Sequence, residues 1–151
     1  MKPNQQTPKA ASPPATVKRI LLVDDEPNVL EGIERMLFPM RKQWQVTTAC
    51  GGVEALQKMK QDGFDIVISD MRMPGMDGAT LLTEVMRLYP ETIRFILTGQ
   101  SGKNTVFQSI KAAHQLLAKP CTPEMLKSCI DRAFALRELL GNKSLANIVS
   151  K

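Results

Sequence analysis

The stretch F-D-I-V-I-S-D-M-R-M-P-G-M-D-G, from Phe64 to Gly78, decides how the chain is read. Phe64, Ile66, Val67 and Ile68 form a short, mostly β-branched apolar run, the pattern of a strand buried on both faces of a parallel sheet. Asp70 stands where that run stops. Pro74-Gly75 and Asp77-Gly78 then turn the chain, because proline fixes φ and glycine accepts positive φ. A carboxylate is thereby held at the carboxyl end of a central strand, the edge on which doubly wound α/β sheets carry ligands and chemistry. An aspartate in that place can also merely cap the loop or the next helix. The rest of the chain decides what Asp70 is for.

On both sides of this stretch strands and helices alternate. Arg19 to Val23 is an apolar strand that ends in Asp24-Asp25-Glu26-Pro27. Pro27 suits the first turn of a helix, the acids before it complement a helix N-terminus, and Val29, Leu30, Ile33, Met36 and Leu37 recur at helical spacing up to Pro39. Trp44 to Ala49 is the second strand, followed by a helix from Gly52 to Lys60 with Val53, Leu56 and Met59 on one face. The opening strand leads into a helix from about Ala79 to Tyr89, striped by Leu81, Leu82, Val85 and Leu88 and closed by Pro90. Ile93 to Leu97 is the fourth strand, ending in Thr98-Gly99, and Val106, Phe107 and Ile110 mark a helix after it. Gln115 to Ala118 is the fifth, ending in Lys119-Pro120. Thr122 as N-cap and Pro123 at the first position open the last helix. Five βα units predict a flavodoxin-like, doubly wound, five-stranded parallel sheet of order 2-1-3-4-5 with helices on both faces.

Composition excludes several classes. A chain of 151 residues with 43% hydrophobic and 23% charged residues suits one soluble domain that needs no disulfide or metal staple. Cys50, Cys121 and Cys129 form no C-x-x-C pair, so free buried thiols in a reducing cytoplasm are expected. No apolar run reaches membrane-span length and no secretory h-region follows Lys2. The net charge of +5 sits in the ends: residues 1–19 hold Lys2, Lys9, Lys18 and Arg19 with no acid, while the body is close to neutral. Direct DNA binding is therefore not expected. Residues 1–17, rich in proline and polar groups, read as a disordered leader. The domain built from these strands and helices spans 18–134.

The strand ends converge. Strand one delivers Asp24 and Asp25, strand three Asp70, strand four Thr98 and strand five Lys119. In the expected order strands one, three, four and five are neighbours at roughly 4.8 Å spacing, so these side chains meet in one pocket. Three carboxylates without a cation repel one another and raise at least one pKa, a cluster suited to a hard divalent metal, and Mg²⁺ fits because it keeps waters and phosphate oxygens as its other ligands. Lys119 and Thr98 offer a phosphoryl group a positive charge and a hydroxyl donor. Asp70, between them, has the surroundings of a phosphorylatable aspartate.

These residues carry a resemblance. Across residues 18 to 132, with L-L-V-D-D-E-P, D-I-V-I-S-D-M-R-M-P-G-M-D-G, F-I-L-T-G and A-K-P in order, the chain resembles the receiver domain of two-component response regulators. The resemblance implies that Asp70 accepts a phosphoryl group from the phosphohistidine of a sensor histidine kinase. It implies that Asp24, Asp25, Asp70 and the backbone carbonyl of Arg72 hold Mg²⁺, and that Thr98 and Lys119 bind the phosphoryl oxygens and report its arrival. The protein would then be a signalling phosphoacceptor, assisting its own phosphorylation and dephosphorylation, and not a turnover enzyme. The competing use of the pocket is a phosphorylation-independent interaction module. Where relatives carry an aromatic residue three positions before the lysine, this chain has Leu116. Arg72 and Gln100 fall where relatives tune acyl-phosphate hydrolysis, and His114, the only histidine, reads as structural.

Two other classes fit poorly. A haloacid dehalogenase-type phosphatase wants an acid two residues after its nucleophile, and Arg72 stands there. A nucleotide- or flavin-binding module wants a phosphate loop after strand one, where the acids repel phosphate. Beyond residue 134 the last helix continues through Leu136, Leu139 and Leu140, and Leu145, Ala146, Ile148 and Val149 begin another apolar pattern. Residues 135–151 are expected to be an extended helix and connector towards an HD-related output domain in a longer chain, with dimerisation through the leucine stripe as the competing use.

Overall fold

The computed structural model describes residues 17–99, 111–119 and 121–140. Five strands, β1 (Lys18–Val23), β2 (Trp44–Ala49), β3 (Ile66–Asp70), β4 (Ile93–Thr98) and β5 (Gln115–Ala118), pair in parallel in the order β2-β1-β3-β4-β5. This is the expected doubly wound order. Helices α1 (Pro27–Leu37), α2 (Gly52–Gln61), α3 (Gly78–Leu88) and α4 (Pro123–Leu140) are described, with a short 3₁₀ turn over Phe38–Met40 that absorbs Pro39. The helix expected around Val106, Phe107 and Ile110 lies outside the described residues, as do the leader and the pattern at Leu145–Val149.

Side chains that alternate along the strands build two cores. Ile20, Leu22, Ile66, Ile68, Ile93, Phe95 and Leu97 face α1 and α4, meeting Leu30, Leu37, Leu126, Ile130 and Phe134. Leu21, Val23, Val67 and Ile96 face α2 and α3, meeting Ala55, Met59, Leu81, Leu82 and Val85. Every residue of β3 and β4 is buried, as strands covered on both faces must be. Each such aliphatic side chain contributes about 1.5–3 kcal/mol of burial, which locks the register that places the strand ends.

Three expectations change. Val53 is 61% exposed, and the buried stripe of α2 is Ala55 and Met59 with Leu56 beside it. Val53 lies off the buried face, which runs through Gly52, Ala55 and Met59 at i, i+3 and i+7. Leu88 is also exposed, because the last turn of α3 runs out past the core. Of the three thiols only Cys129 is buried; Cys121 is half-buried and Cys50 exposed, since Cys50 follows β2 into a surface loop. At the start of α4 the Thr122 hydroxyl accepts from the Met125 N–H at 3.1 Å, the expected cap.

The loop after β3 is held by close backbone approach. Asp77 caps α3 by accepting from the Thr80 N–H at 2.8 Å, and the Gly78 N–H bonds the Met71 carbonyl at 2.9 Å. A side chain at Gly78 would collide with the Asp70 carbonyl oxygen and with Ile96. Gly75 has φ of 79°, a left-handed turn position. Gly78→Ala is expected to lower stability by about 2 kcal/mol, as overpacking against backbone does; a urea midpoint equal to the parent's would show that the loop can give way.

Candidate functional site

Register brings the candidate residues together. Val23 pairs with Ser69, so Asp24 falls beside Asp70; Asp70 pairs with Leu97, so Thr98 is next; Thr98 pairs with Ala118, so Lys119 follows. One carboxylate oxygen from each of Asp24, Asp25 and Asp70 lies within 4.8 Å of the others. Lys119 Nζ stands 2.6 Å from Asp70 Oδ1 and 3.6 Å from Asp24 Oδ2. Its backbone N–H bonds the Thr98 carbonyl at 2.8 Å, tying β5 to β4 at the site. Asp24, Asp70 and Thr98 are buried and Asp25 is half-buried, while Arg72 is exposed in the loop two residues beyond Asp70.

Electrostatics follow from that packing. Burial raises the Asp24 carboxyl above its ordinary range; the Glu26 N–H, bonded to Oδ1 at 2.9 Å, opposes this, and Asp70 adds to it. Burial pulls the Lys119 ammonium down, but the hydrogen bond and charge of Asp70 together with Asp24 outweigh it and hold Lys119 above its usual value. The other Asp24 oxygen, Oδ2, is buried with no hydrogen-bond partner among the described residues, Lys119 Nζ standing 3.6 Å away. A buried carboxylate oxygen without a donor, flanked by two more carboxylates, is a donor set that a hard divalent cation satisfies. The residues therefore fit Mg²⁺. An apolar cavity of about 500 Å³, lined among the described residues by Val29, Ile33, Met36, Leu97 and Cys121, opens on the other side of Lys119. Its described lining residues include no acid or hydroxyl, and the clustered charges lie at the carboxylates.

The sequence profile of the response regulator receiver domain matches residues 20–131. The chain belongs to that family. It is 37% identical over 111 residues to the two-component response regulator ARR14 of Arabidopsis thaliana, covering 73% of this chain and 29% of that protein. Among solved structures, response regulator protein TrrA of Thermotoga maritima in complex with Mg²⁺ and BeF is 32% identical with a TM-score of 0.68, covering 77% of this chain and 98% of that one. The signal receiver domain of an HD domain-containing protein from Pseudomonas fluorescens is 28% identical with a TM-score of 0.74, covering 81% and 98%. The chain spans less than a third of the length of the curated relatives it matches. It is a receiver domain of two-component signalling, a family of signalling phosphoacceptors. Among the described residues no helix is long and apolar enough to cross a membrane.

Away from the site, the receiver buries a second polar cluster that the sequence reading passed over. Arg94 is 1% exposed in β4, and its partners among the described residues include no carboxylate. Its Nε donates to the Ala112 carbonyl at 2.6 Å, and Nη1 to the carbonyls of Thr92 at 2.9 Å and Pro90 at 3.2 Å. These carbonyls supply the negative potential an acid would, and burial still draws the guanidinium down to about 10. An arginine inside the apolar run I-R-F-I-L was the available signal. His114 packs against it: Nδ1 accepts the Arg94 N–H at 2.9 Å and Nε2 lies 3.4 Å from Nη2. With Nδ1 accepting, the neutral ring carries its proton on Nε2, facing a donor-only guanidinium. His114 is thus a structural group held neutral, and burial with the Arg94 charge lowers it to about 4.

The sign of the resulting pH dependence is fixed. The unfolded state takes up the proton near 6.5 and the native state only near 4, so the stability is fully present above 6.5 and lost as pH falls towards 4. A loss of about 2 kcal/mol is expected after discounting for solvent screening of the part-exposed ring. Urea unfolding of the parent and His114→Gln across pH 7 to 4 checks it: the variant's profile should be flatter, and parallel profiles would contradict the assignment.

Proposed function

We propose that Asp70 accepts a phosphoryl group from the phosphohistidine of a sensor histidine kinase, and that the new charge is read at the surface of β4, β5 and the segment between them by an output domain or partner. The observation that carries this reading is the cluster itself: three carboxylates within 4.8 Å, with Lys119 at 2.6 Å from Asp70 Oδ1. When bound at Asp24, Asp25, Asp70 and the Arg72 carbonyl, Mg²⁺ supplies positive charge to the phosphoryl oxygens.

The chain's own residues do the rest. An Asp70 oxygen attacks phosphorus in line as the P–N bond breaks; the electron pair leaves with the imidazole, which takes a proton from solvent, and an acyl phosphate remains. Lys119 follows the negative charge from the carboxylate onto the phosphoryl oxygens. Thr98, buried at the end of β4, supplies a hydroxyl donor. Because Lys119 and Thr98 are joined through their backbones, displacement of either moves the ends of β4 and β5 together. Leu116, half-buried beside the α3 core, takes the place of an aromatic reporter, so the shift is carried by the backbone more than by a ring. A cytoplasmic setting and an output domain, HD-related as in the Pseudomonas relative, complete the reading.

Intact mass after incubation with Mg²⁺ and acetyl phosphate should show one phosphoryl adduct on the parent. Asp70→Asn and metal-free protein should show none. An adduct on Asp70→Asn would move the acceptor elsewhere; no adduct from any donor on folded, Mg²⁺-bound protein would make this a phosphorylation-independent interaction module. Thr98→Ala is expected to keep the adduct but lose the amide shifts that phosphorylation causes between Lys111 and Lys119. Undiminished shifts would remove Thr98 from the reporting role.

A further inference from the structure

Asp65, one residue before β3, gathers the starting ends of three strands. Its Oδ2 accepts the Arg19 N–H of β1 at 2.7 Å, its own N–H donates to the Arg19 carbonyl at 2.8 Å, and its carbonyl accepts the Ile93 N–H of β4 at 3.0 Å. Those strands carry Asp24, Asp70 and Thr98 at their other ends. The remaining carboxylate oxygen, Oδ1, accepts from Arg137 Nη2 at 3.0 Å, in the last turn of α4. Arg137 is largely buried, its guanidinium 5.3 Å from the centre of the Phe134 ring. Lys18 adds a second hold, 3.9 Å from Glu138 and 5.6 Å from the same ring.

We propose that Asp65 and Arg137 form a latch that fixes the last turn of α4 to the strands bearing the phosphoacceptor pocket, so that the direction in which the chain leaves the domain is set by the receiver itself. Helix α4 has an interior reason to end near Phe134, its last fully buried residue; Ala135, Leu136, Glu138 and Leu139 are exposed, Leu139 at 80%. Packing alone would leave residues 135–140 free to fray. A charge-assisted bond from a largely buried arginine to a carboxylate already pinned by a backbone N–H holds them, because neither partner has much rotamer freedom left to lose. Exposed i,i+4 pairs on the same helix, such as Lys127–Asp131 at 3.0 Å, join only the helix to itself and cannot set its direction.

The latch needs no phosphorylation, so its test is separable from that of the acceptor. Hydrogen exchange by mass spectrometry on the full chain compares the parent with Arg137→Met, which keeps the stem over Phe134, and with Asp65→Asn. Exchange over residues 135–140 should rise about tenfold in each variant, the size expected for losing one charge-assisted bond, with residues 123–130 unchanged. The double variant should add nothing further. Equal protection in parent and Arg137→Met would overturn the latch, as would additive effects in the double variant. Should Asp65→Asn loosen the strands as well, Arg137→Met alone decides, since it leaves the Arg19 and Ile93 bonds to Asp65 in place.

Discussion

The molecule depends on a repulsion held in check. Asp24, Asp25 and Asp70 crowd their oxygens into a space that one cation would fill, and Lys119 reaches across from β5 to hold two of them. Like charges at such distances cost stability unless something compensates, so the carboxyl edge of the sheet is strained by its own chemistry. What keeps it in place lies underneath: β1, β3 and β4 are apolar and buried along almost their whole length, and their register cannot slip without turning core residues to the wrong face. The core overrides the repulsion.

Most of this was legible in the residues. Apolar runs ending in Asp24, Asp70, Thr98 and Lys119 gave the strands, and β2 and β5 fall where the pattern put them. The pocket followed because a parallel sheet of that order leaves its strand ends no other place to go. Hidden from a one-dimensional reading were contacts made by backbone atoms: the Glu26 N–H that turns Asp24, the close approach at Gly78, and the carbonyl cradle around Arg94. Side-chain type says little about where a carbonyl will point. Leu88 was misplaced because helical periodicity does not say how far along the helix the sheet extends, and Val53 because a short helix leaves two neighbouring faces to choose between, of which Gly52, Ala55 and Met59 are the buried one.

Polar groups in this receiver are spent at the two ends of the sheet in different ways. At the carboxyl edge they are left partly unsatisfied, with Asp24 Oδ2 lacking a donor. At the opposite edge Asp65 has both carboxylate oxygens, its N–H and its carbonyl engaged, and in the nearby Arg94–His114 cluster Nε and Nη1 of Arg94 and Nδ1 of His114 are bonded to backbone. At that edge the buried atom without a partner among the described residues is Arg19 Nε, a donor, where at the carboxyl edge it is a carboxylate oxygen.

The sheet order has a consequence for biosynthesis. The pocket draws on positions as distant in the chain as Asp24 and Lys119, and Lys119 arrives only when β5, the last of the described strands, has docked on β4. Such non-local closure is slow relative to helix formation. A nascent or partly folded chain therefore presents Asp70 without the Lys119 ammonium beside it. The pocket is complete only when the described sheet is.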